Sequence, residues 1–267
     1  MTFPTDGWAS NAIYEPAGDF DIFEMHSNPR YAVGTRIRRQ DGNEFVYSQF
    51  GADTTQGLLV AQDISESGVV ETDNIVIAPA SAANTNDGTI GSKFVQITLA
   101  STTTDQYLGG YFTITDGTGI GYVYRIKGNT AVDVPASGDF RLELHEPLQV
   151  ALDATSDINI TGSLYANLEV ATAATDIVIP GVSCSNMDVS VADYGWVCVK
   201  GVWCISVDST AITLGDMVAL SADVSGNIYE VNDAGTGGQT INDEEIIGVA
   251  LDTPDDNSFV LVKFSIS

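Results

Sequence analysis

The chain has 267 residues, of which 44% are hydrophobic and only 17% charged, and it carries a net charge of −26. That length holds one large β domain or roughly two to three small ones, with enough apolar residues for a buried core. A field of that sign repels phosphate backbones and anionic lipid, so nucleic acid and membrane surfaces are excluded as expected partners and a basic protein face is favoured.

Residues 1–30 have no sustained periodicity. Trp8, Tyr14, Phe20, Phe23, Met25 and His26 are interrupted by Pro4, Pro16, Gly18 and Pro29. Disordered tails are poor in aromatics, so this stretch reads as an extended arm that lays its rings into grooves. Two surfaces can supply the grooves: the chain's own domain or another molecule. Met1-Thr-Phe-Pro-Thr-Asp6 has neither the basic nor the apolar region of a secretory signal.

Residues 31–88 are expected to form a β unit followed by a linker. The strand around Gly34-Thr-Arg-Ile37 meets Glu44-Phe-Val-Tyr47 through Asp41-Gly42-Asn43, a strong hairpin turn. Arg30, Arg36, Arg38 and Arg39 are four of the ten basic residues. They make either one solvated strand face or a contact patch for an acidic neighbour, such as a second copy of the chain. Ala78 to Gly88 is small and polar and reads as a loop.

Residues 89–178 form a different β-rich section. Lys93 to Leu99 sets Phe94, Gln96 and Thr98 against Val95, Ile97 and Leu99, the alternation of a half-buried strand. Thr102 to Leu108 is expected to make one or two helical turns capped by Gly109. Tyr111 to Thr115 and Gly121 to Ile126 flank Asp116-Gly117 as a hairpin, and Phe140 to Leu144 alternates again before Pro147. Ser163 to Ala174 fits a strand or a short helix.

Residues 179–267 organise the chain. Tyr194 to Val231 reads as strand, tight turn at Lys200-Gly201, strand, loop, strand, turn, strand, because Val, Ile, Trp and Tyr suit a pleated surface and glycine suits turns. Two further strands follow, Ile246 to Leu251 and Phe259 to Phe264, joined through Asp255-Asp256-Asn257. Phe45 to Val70 matches Trp203 to Ile228 without gaps: Ser48 falls on Ser206, Thr55 on Thr213, Gly57 on Gly215, Val60-Ala61 on Val218-Ala219 and Gly68 on Gly226. A shared spacing of turn glycines points to two copies of one supersecondary unit.

The residues offer little chemistry. Cys184, Cys198 and Cys204 are odd in number and lack metal spacing, so all three are expected to be small buried hydrophobes in a reducing compartment. His26 and His145 are far apart in sequence, which argues against a histidine-based triad or a zinc site. Gly117-Thr-Gly119-Ile-Gly121 lies between two strands and reads as a hairpin, not a phosphate cradle. Asn84 to Gly88 and Asp19-Phe-Asp21 read as turns, not calcium loops. Among the abundant carboxylates nothing singles out a glycosidase pair. No cofactor, metal or catalytic residue is expected.

Gly34-Thr-Arg-Ile37, Asp41 to Tyr47, Gln56 to Val60, Gly109 to Asn129 and Leu144-His-Glu-Pro-Leu148 together resemble virion structural proteins of tailed bacteriophages. Tyr194-Gly-Trp-Val197, Leu214-Gly-Asp-Met-Val218 and Ile247-Gly-Val-Ala250 are similar to small β decoration domains that sit on capsid shells. The resemblance covers most of the chain after Tyr31 and implies a non-catalytic capsid decoration, or cement, protein. Its partners would be the major capsid protein and copies of itself, with trimers favoured. The protein would be made in the host cytoplasm and reside on the capsid surface. A tail, baseplate or head-fibre protein with a glycan-binding surface is the alternative, favoured by exposed aromatics clustered in a groove. The expected fold is all-β, with antiparallel sandwich or barrel-like domains, the arm and few short helices. Trp8, Tyr14, Phe20, Phe23, Arg36, Arg38 and Arg39 are the expected partner contacts.

Overall fold

In the computed structural model every regular element among the described residues is a β-strand, and there is no helix. The described residues are 12–14, 21–62, 70–71, 76–77, 86–98, 102–131, 139–172, 179–208, 212–231, 246–254 and 258–265. The chain divides into two units, the first made of residues 1–63 with 165–267 and the second of residues 64–164.

The first unit opens with β1 (Ala12–Tyr14), β2 (Arg36–Arg38), β3 (Glu44–Gln49) and β4 (Leu59–Gln62). The second holds β5 (Val70–Glu71), β6 (Val76–Ile77), β7 (Phe94–Thr98), β8 (Tyr111–Asp116), β9 (Val123–Asn129), β10 (Asp139–Leu144) and β11 (Asp157–Thr161). The chain then returns to the first unit with β12 (Leu168–Val170), β13 (Gly181–Ser183), β14 (Tyr194–Ser206), β15 (Met217–Leu220), β16 (Ile228–Glu230), β17 (Ile246–Ala250) and β18 (Phe259–Ser265).

The second unit is a seven-stranded antiparallel sheet in the order β5-β11-β8-β9-β10-β7-β6. Its core follows the alternation in the sequence: Val95 and Ile97, Phe112 and Ile114, Tyr124 and Ile126, Phe140 and Leu142, and Ile158 and Ile160 are all buried. Each such side chain contributes about 1.5–3 kcal/mol by leaving water. The glycines of the β8–β9 loop, Gly117, Gly119 and Gly121, have φ of 70°, 90° and 89°, so this is the expected hairpin. The helical turn expected at Thr102 to Leu108 does not form. Asp105 takes φ 58°, and Asn129 staples the segment by accepting from the Tyr107 amide (2.9 Å) and donating to the Thr103 carbonyl (2.7 Å). These bonds satisfy as isolated turns the backbone groups that a helix would have paired.

The first unit is an 11-stranded sheet curled into a half-barrel, antiparallel except where β1 runs parallel to β2. One face carries Phe45, Tyr47, Leu59, Trp196, Val218, Ile228 and Val262 in a single core. Alternate residues such as Val46, Val60 and Val197 point the other way and pack with Leu168 and Met187. Two runs of strands repeat one pairing order. In the first, β3 pairs β14, β14 pairs β13, β13 pairs β4 and β4 pairs β12. In the second, β14 pairs β18, β18 pairs β17, β17 pairs β15 and β15 pairs β16. β14 serves both, ending the first run with its N-terminal half and starting the second with its C-terminal half. The register repeats too: Leu168 opposes Gln62 as Ile228 opposes Leu220. The second unit occupies the chain between β4 and β12, where the other run has only the short β15–β16 turn.

β14 corrects the sequence reading. Lys200-Gly201 is not a turn; the strand runs unbroken for 13 residues with a β-bulge between Cys198 and Lys200. Its partner on that stretch changes from β3 to β18, which an extra residue and Gly201 at φ 119° accommodate. Ser163 to Ala174 resolves as β12, entered through Asn167 at φ 55°. The Ser67-Gly68 turn, the Asp255 to Asn257 turn and most of the Ala78 to Gly88 loop lie outside the described residues.

Candidate functional site

The described part of the N-terminal stretch lies on its own unit. β1 pairs with β2, and His26 exchanges backbone hydrogen bonds with Tyr194 at 2.9 and 3.0 Å. Ile22 is buried in the core, the Ser185 hydroxyl donates to the Phe23 carbonyl (2.9 Å), and the Tyr47 hydroxyl lies 3.0 Å from His26 Nδ1. Of the two surfaces open to the arm, these residues use the chain's own.

Of the expected contact residues, the structure describes the side chains of Phe23, Arg36, Arg38 and Arg39. Trp8 and Phe20 lie outside the described residues, and of Tyr14 only the backbone, in β1, is described. Arg36 donates to the Tyr165 hydroxyl (2.8 Å), and Arg38 Nε stands 3.6 Å from Glu44. Arg39 and Phe23 are the two ends of one ladder of rings. The Arg39 guanidinium sits 5.6 Å over Phe45, Phe45 meets Trp203 edge-on at 5.4 Å, and Trp203 stacks on Phe23 at 6.0 Å.

Beside that ladder the first unit has a groove of about 570 Å³. Phe23 and Trp203 flank it, Phe259 and Leu261 form further lining from β18, and Gln56, Gly57, Val202 and Cys204 complete it. Phe259 is 49% and Phe23 48% exposed, so large rings face water here. Gly57 keeps the groove open: its φ is 82°, and a Cβ at that position would stand 2.6 Å from Phe259 Cε1. The sequence reading found Phe23 and missed Trp203, Phe259 and Leu261. The signal available was the alternation along β18, where Val260, Val262 and Phe264 take the core and leave Phe259 and Leu261 outside.

Cys204 also belongs to the groove and corrects an expectation. Cys184 and Cys198 are buried, but Cys204 is exposed. Partial burial, with the nearby Asp252 charge adding to it, holds its thiol above the ordinary range. Among the described residues no cluster of three or more His, Cys, Asp or Glu is arranged to hold a metal ion. Of the residues in the two expected turns, Asp21 accepts from the Phe23 amide (2.8 Å) and Asp87 accepts from Arg141; Asp19 and Asn84 lie outside the described residues. What the groove offers is apolar and aromatic surface with a reluctant thiol, which suits docking.

Comparison with protein-family models, with curated proteins and with solved structures returned no match.

Proposed function

We propose that this chain is a non-catalytic structural protein of a tailed-phage virion, a capsid decoration (cement) protein that binds the outer surface of the assembled head. It grips the major capsid protein and further copies of itself, as a homo-oligomer with a trimer favoured, through surfaces of the first unit. The observation that carries the reading is the groove: exposed Phe23 and Phe259 flank Trp203 on a chain of net charge −26. Clustered rings at a surface mark association sites. The acidic field selects a basic protein neighbour and disfavours nucleic acid. The phage-like order of motifs from Gly34 to Ala250 adds to it. Repetition on a shell then converts modest contacts into firm attachment, since each bound copy raises the effective concentration of the next contact.

The test is to add the purified protein to assembled heads that lack it, from a phage carrying this gene, and to sediment the mixture. Co-sedimentation in stoichiometric amounts, with heads that withstand more heat, is the expected result. Protein left in the supernatant rejects the capsid reading.

The same rings favour a second reading, a tail, baseplate or head-fibre protein that binds glycans, because sugar faces stack on exposed aromatics such as Phe23, Trp203 and Phe259. Labelling intact virions with antibody separates the two readings, with signal on the head for the first and on the tail or fibres for the second.

A further inference from the structure

The two runs of strands differ in what lies on their outer face. In the first run Val46 opposes Val197, and both are buried in one cluster with Phe50, Leu168 and Met187. The corresponding pair of the second run is Cys204 opposite Leu261, and Cys204 is exposed. The face stays open across the next strands. Leu251 donates to the Leu261 carbonyl (2.7 Å), and Val249 opposes both Lys263 and Met217. Residues opposite one another in a ladder share a face. Val202, Lys263, Val249 and Met217 therefore form one row across the sheet. Cys204, Leu261 and Leu251 form the next. Met217, Val249 and Leu251 are 42%, 39% and 38% exposed. Contiguous apolar surface marks an association site, and in the first run the chain itself covers the same position.

The charges say what fits. Lys263 is the one charged residue that β15, β17, β18 and β14 beyond Lys200 carry, and Asp252 follows just past β17. Asp252 Oδ1 accepts from the Leu261 amide (2.9 Å), and its charge acts on the Cys204 thiol, so it borders the second row. Neither Lys263 nor Asp252 has an ion-pair partner among the described residues. The Val202 end is mixed in sign. Lys200 opposes Glu44, which also faces Arg38, while Asp41 lies near and Arg39 sits over the core ring of Phe45. At the β15 end Asp216 is held by the Thr213 amide and hydroxyl, both at 2.7 Å. A basic partner sets its charge against Lys263, and an acidic one sets its charge against Asp252. The surface that fits carries both signs in inverse order across an apolar strip. A second copy, turned about a two-fold axis, presents that order.

We propose that this face pairs with the same face of a second copy, about a two-fold axis that runs across β17 and β18 between the two rows. Each row then lies on the other row of the partner. Val249 meets the partner's Leu251, and Lys263 meets the partner's Asp252, twice over by symmetry. Phe23 stays outside the contact. The inference rests on the reading of the first unit as self-associating. A two-fold contact does not close a trimer, so it links one oligomer to the next. At long range two chains of net charge −26 repel, and salt screens that repulsion. The pairing therefore strengthens with salt, whereas attachment of a basic partner weakens.

Sedimentation equilibrium of the intact protein, in about 50 and about 500 mM NaCl, is the test. Pairs or multiples of pairs are expected, more of them at the higher salt. Lys263→Glu and Asp252→Lys each bring like charges together and should weaken pairing about tenfold. An equal mixture of the two variants should restore it, because the mixed pair alone has opposite charges at both contacts. On the unmodified protein a short bismaleimide should join Cys204 to the partner's Cys204, since both lie beside the axis. Single chains at both salt concentrations overturn the proposal. So does a mixture that associates no better than its components, or the absence of a cross-linked dimer. Pairing by a protein that ignores assembled heads leaves this contact standing while rejecting the capsid reading.

Discussion

Asn43 holds the backbone of Val202 at both of its hydrogen-bonding groups, 2.8 Å at the amide and 3.3 Å at the carbonyl. A side chain at the end of the β2–β3 turn thus replaces a missing strand where β14 leaves β3. Asn43 is nearly buried, and its own amide is held by Asp41 at 2.9 Å. Asn43→Ala leaves the Val202 groups without that partner, and we expect a loss of about 1–3 kcal/mol. Urea unfolding checks it: the midpoint should fall with the slope unchanged.

Gly201, next to that contact, is expected to be less forgiving. Its φ is 119°, and a Cβ there would lie 2.8 Å from the Asn43 Cα and closer still to Oδ1. The Asn43 Cα lies in paired backbone and its Oδ1 is held by the Val202 amide, so neither has much room to yield. Gly201→Ala should therefore destabilise more than Asn43→Ala, and the double variant should cost less than the sum, because removing the carboxamide relieves part of the clash. Additive losses would show that the two residues do not act on one another.

These two residues also show where sequence reading stopped. Lys200-Gly201 interrupts an apolar run, and a turn and a bulge share that local signature. What separates them is that β14 changes partner from β3 to β18, a relation between residues far apart in the chain. The strands themselves were legible, since Val95 and Ile97, or Phe140 and Leu142, alternate with polar residues and only one face of each is buried. The gap-free match of Phe45 to Val70 with Trp203 to Ile228 holds as far as Gln62 and Leu220, where Gly57 and Gly215 both have positive φ, and then fails: Val70 pairs with β11 in the second unit, and Leu168 takes the place that Ile228 has in the other run. The rest of the repeat was hidden by the chain between β4 and β12. The groove was half legible: Phe23 stood out in an aperiodic stretch, whereas Phe259 and Trp203 looked like ordinary strand residues.

In the second unit Arg141 lies over Phe94, 3.7 Å from the ring centroid, and donates to Asp87 from Nε (2.7 Å) and Nη2 (2.9 Å). The Asp87 side chain is 3% exposed and that of Arg141 34%. Removing the carboxylate leaves a cation in a partly dry site. Asp87→Ala should cost about 2–3 kcal/mol, below the figure for a fully buried pair because water still reaches the guanidinium. Arg141→Met, which keeps packing on Phe94 but strands Asp87, should be at least as harmful. Thermal unfolding of both variants checks the order.

Thiol chemistry should distinguish the three cysteines. Native protein is expected to react with one equivalent of a disulfide reagent, at Cys204, and with three after denaturation, as the exposures require. Because burial and Asp252 hold the Cys204 thiol up, its reaction should be slower than that of a free cysteine at neutral pH and should accelerate as pH rises. Peptide mapping of the labelled residue checks the assignment; label on Cys184 or Cys198 in the native state would contradict the packing described.

The buried thiols also set the alkaline limit of the fold. Burial pushes the Cys198 thiol up from 9.0 to about 12, with a backbone hydrogen bond at Lys200 that favours the thiolate acting against this and the Asp41 charge adding to it. Cys184 and Tyr47 are raised too, burial again being the largest cause. The unfolded chain releases these protons near their ordinary values while the folded chain retains them. The contribution of Cys198 to stability is therefore complete below pH 9.0 and is lost as pH rises through the interval from 9.0 to about 12, where Cys198 ionises in place; Cys184 and Tyr47 act in the same direction. Each retained proton contributes a slope of about 1.4 kcal/mol per pH unit. Urea midpoints measured upward from pH 9.0 should fall steadily, and Cys198→Ala should fall less steeply by the share of one proton. An identical slope in that variant would mean that Cys198 ionises as freely in the folded protein as in the unfolded chain, and that β14 is wetter at its bulge than its packing against Trp196 and Val182 requires.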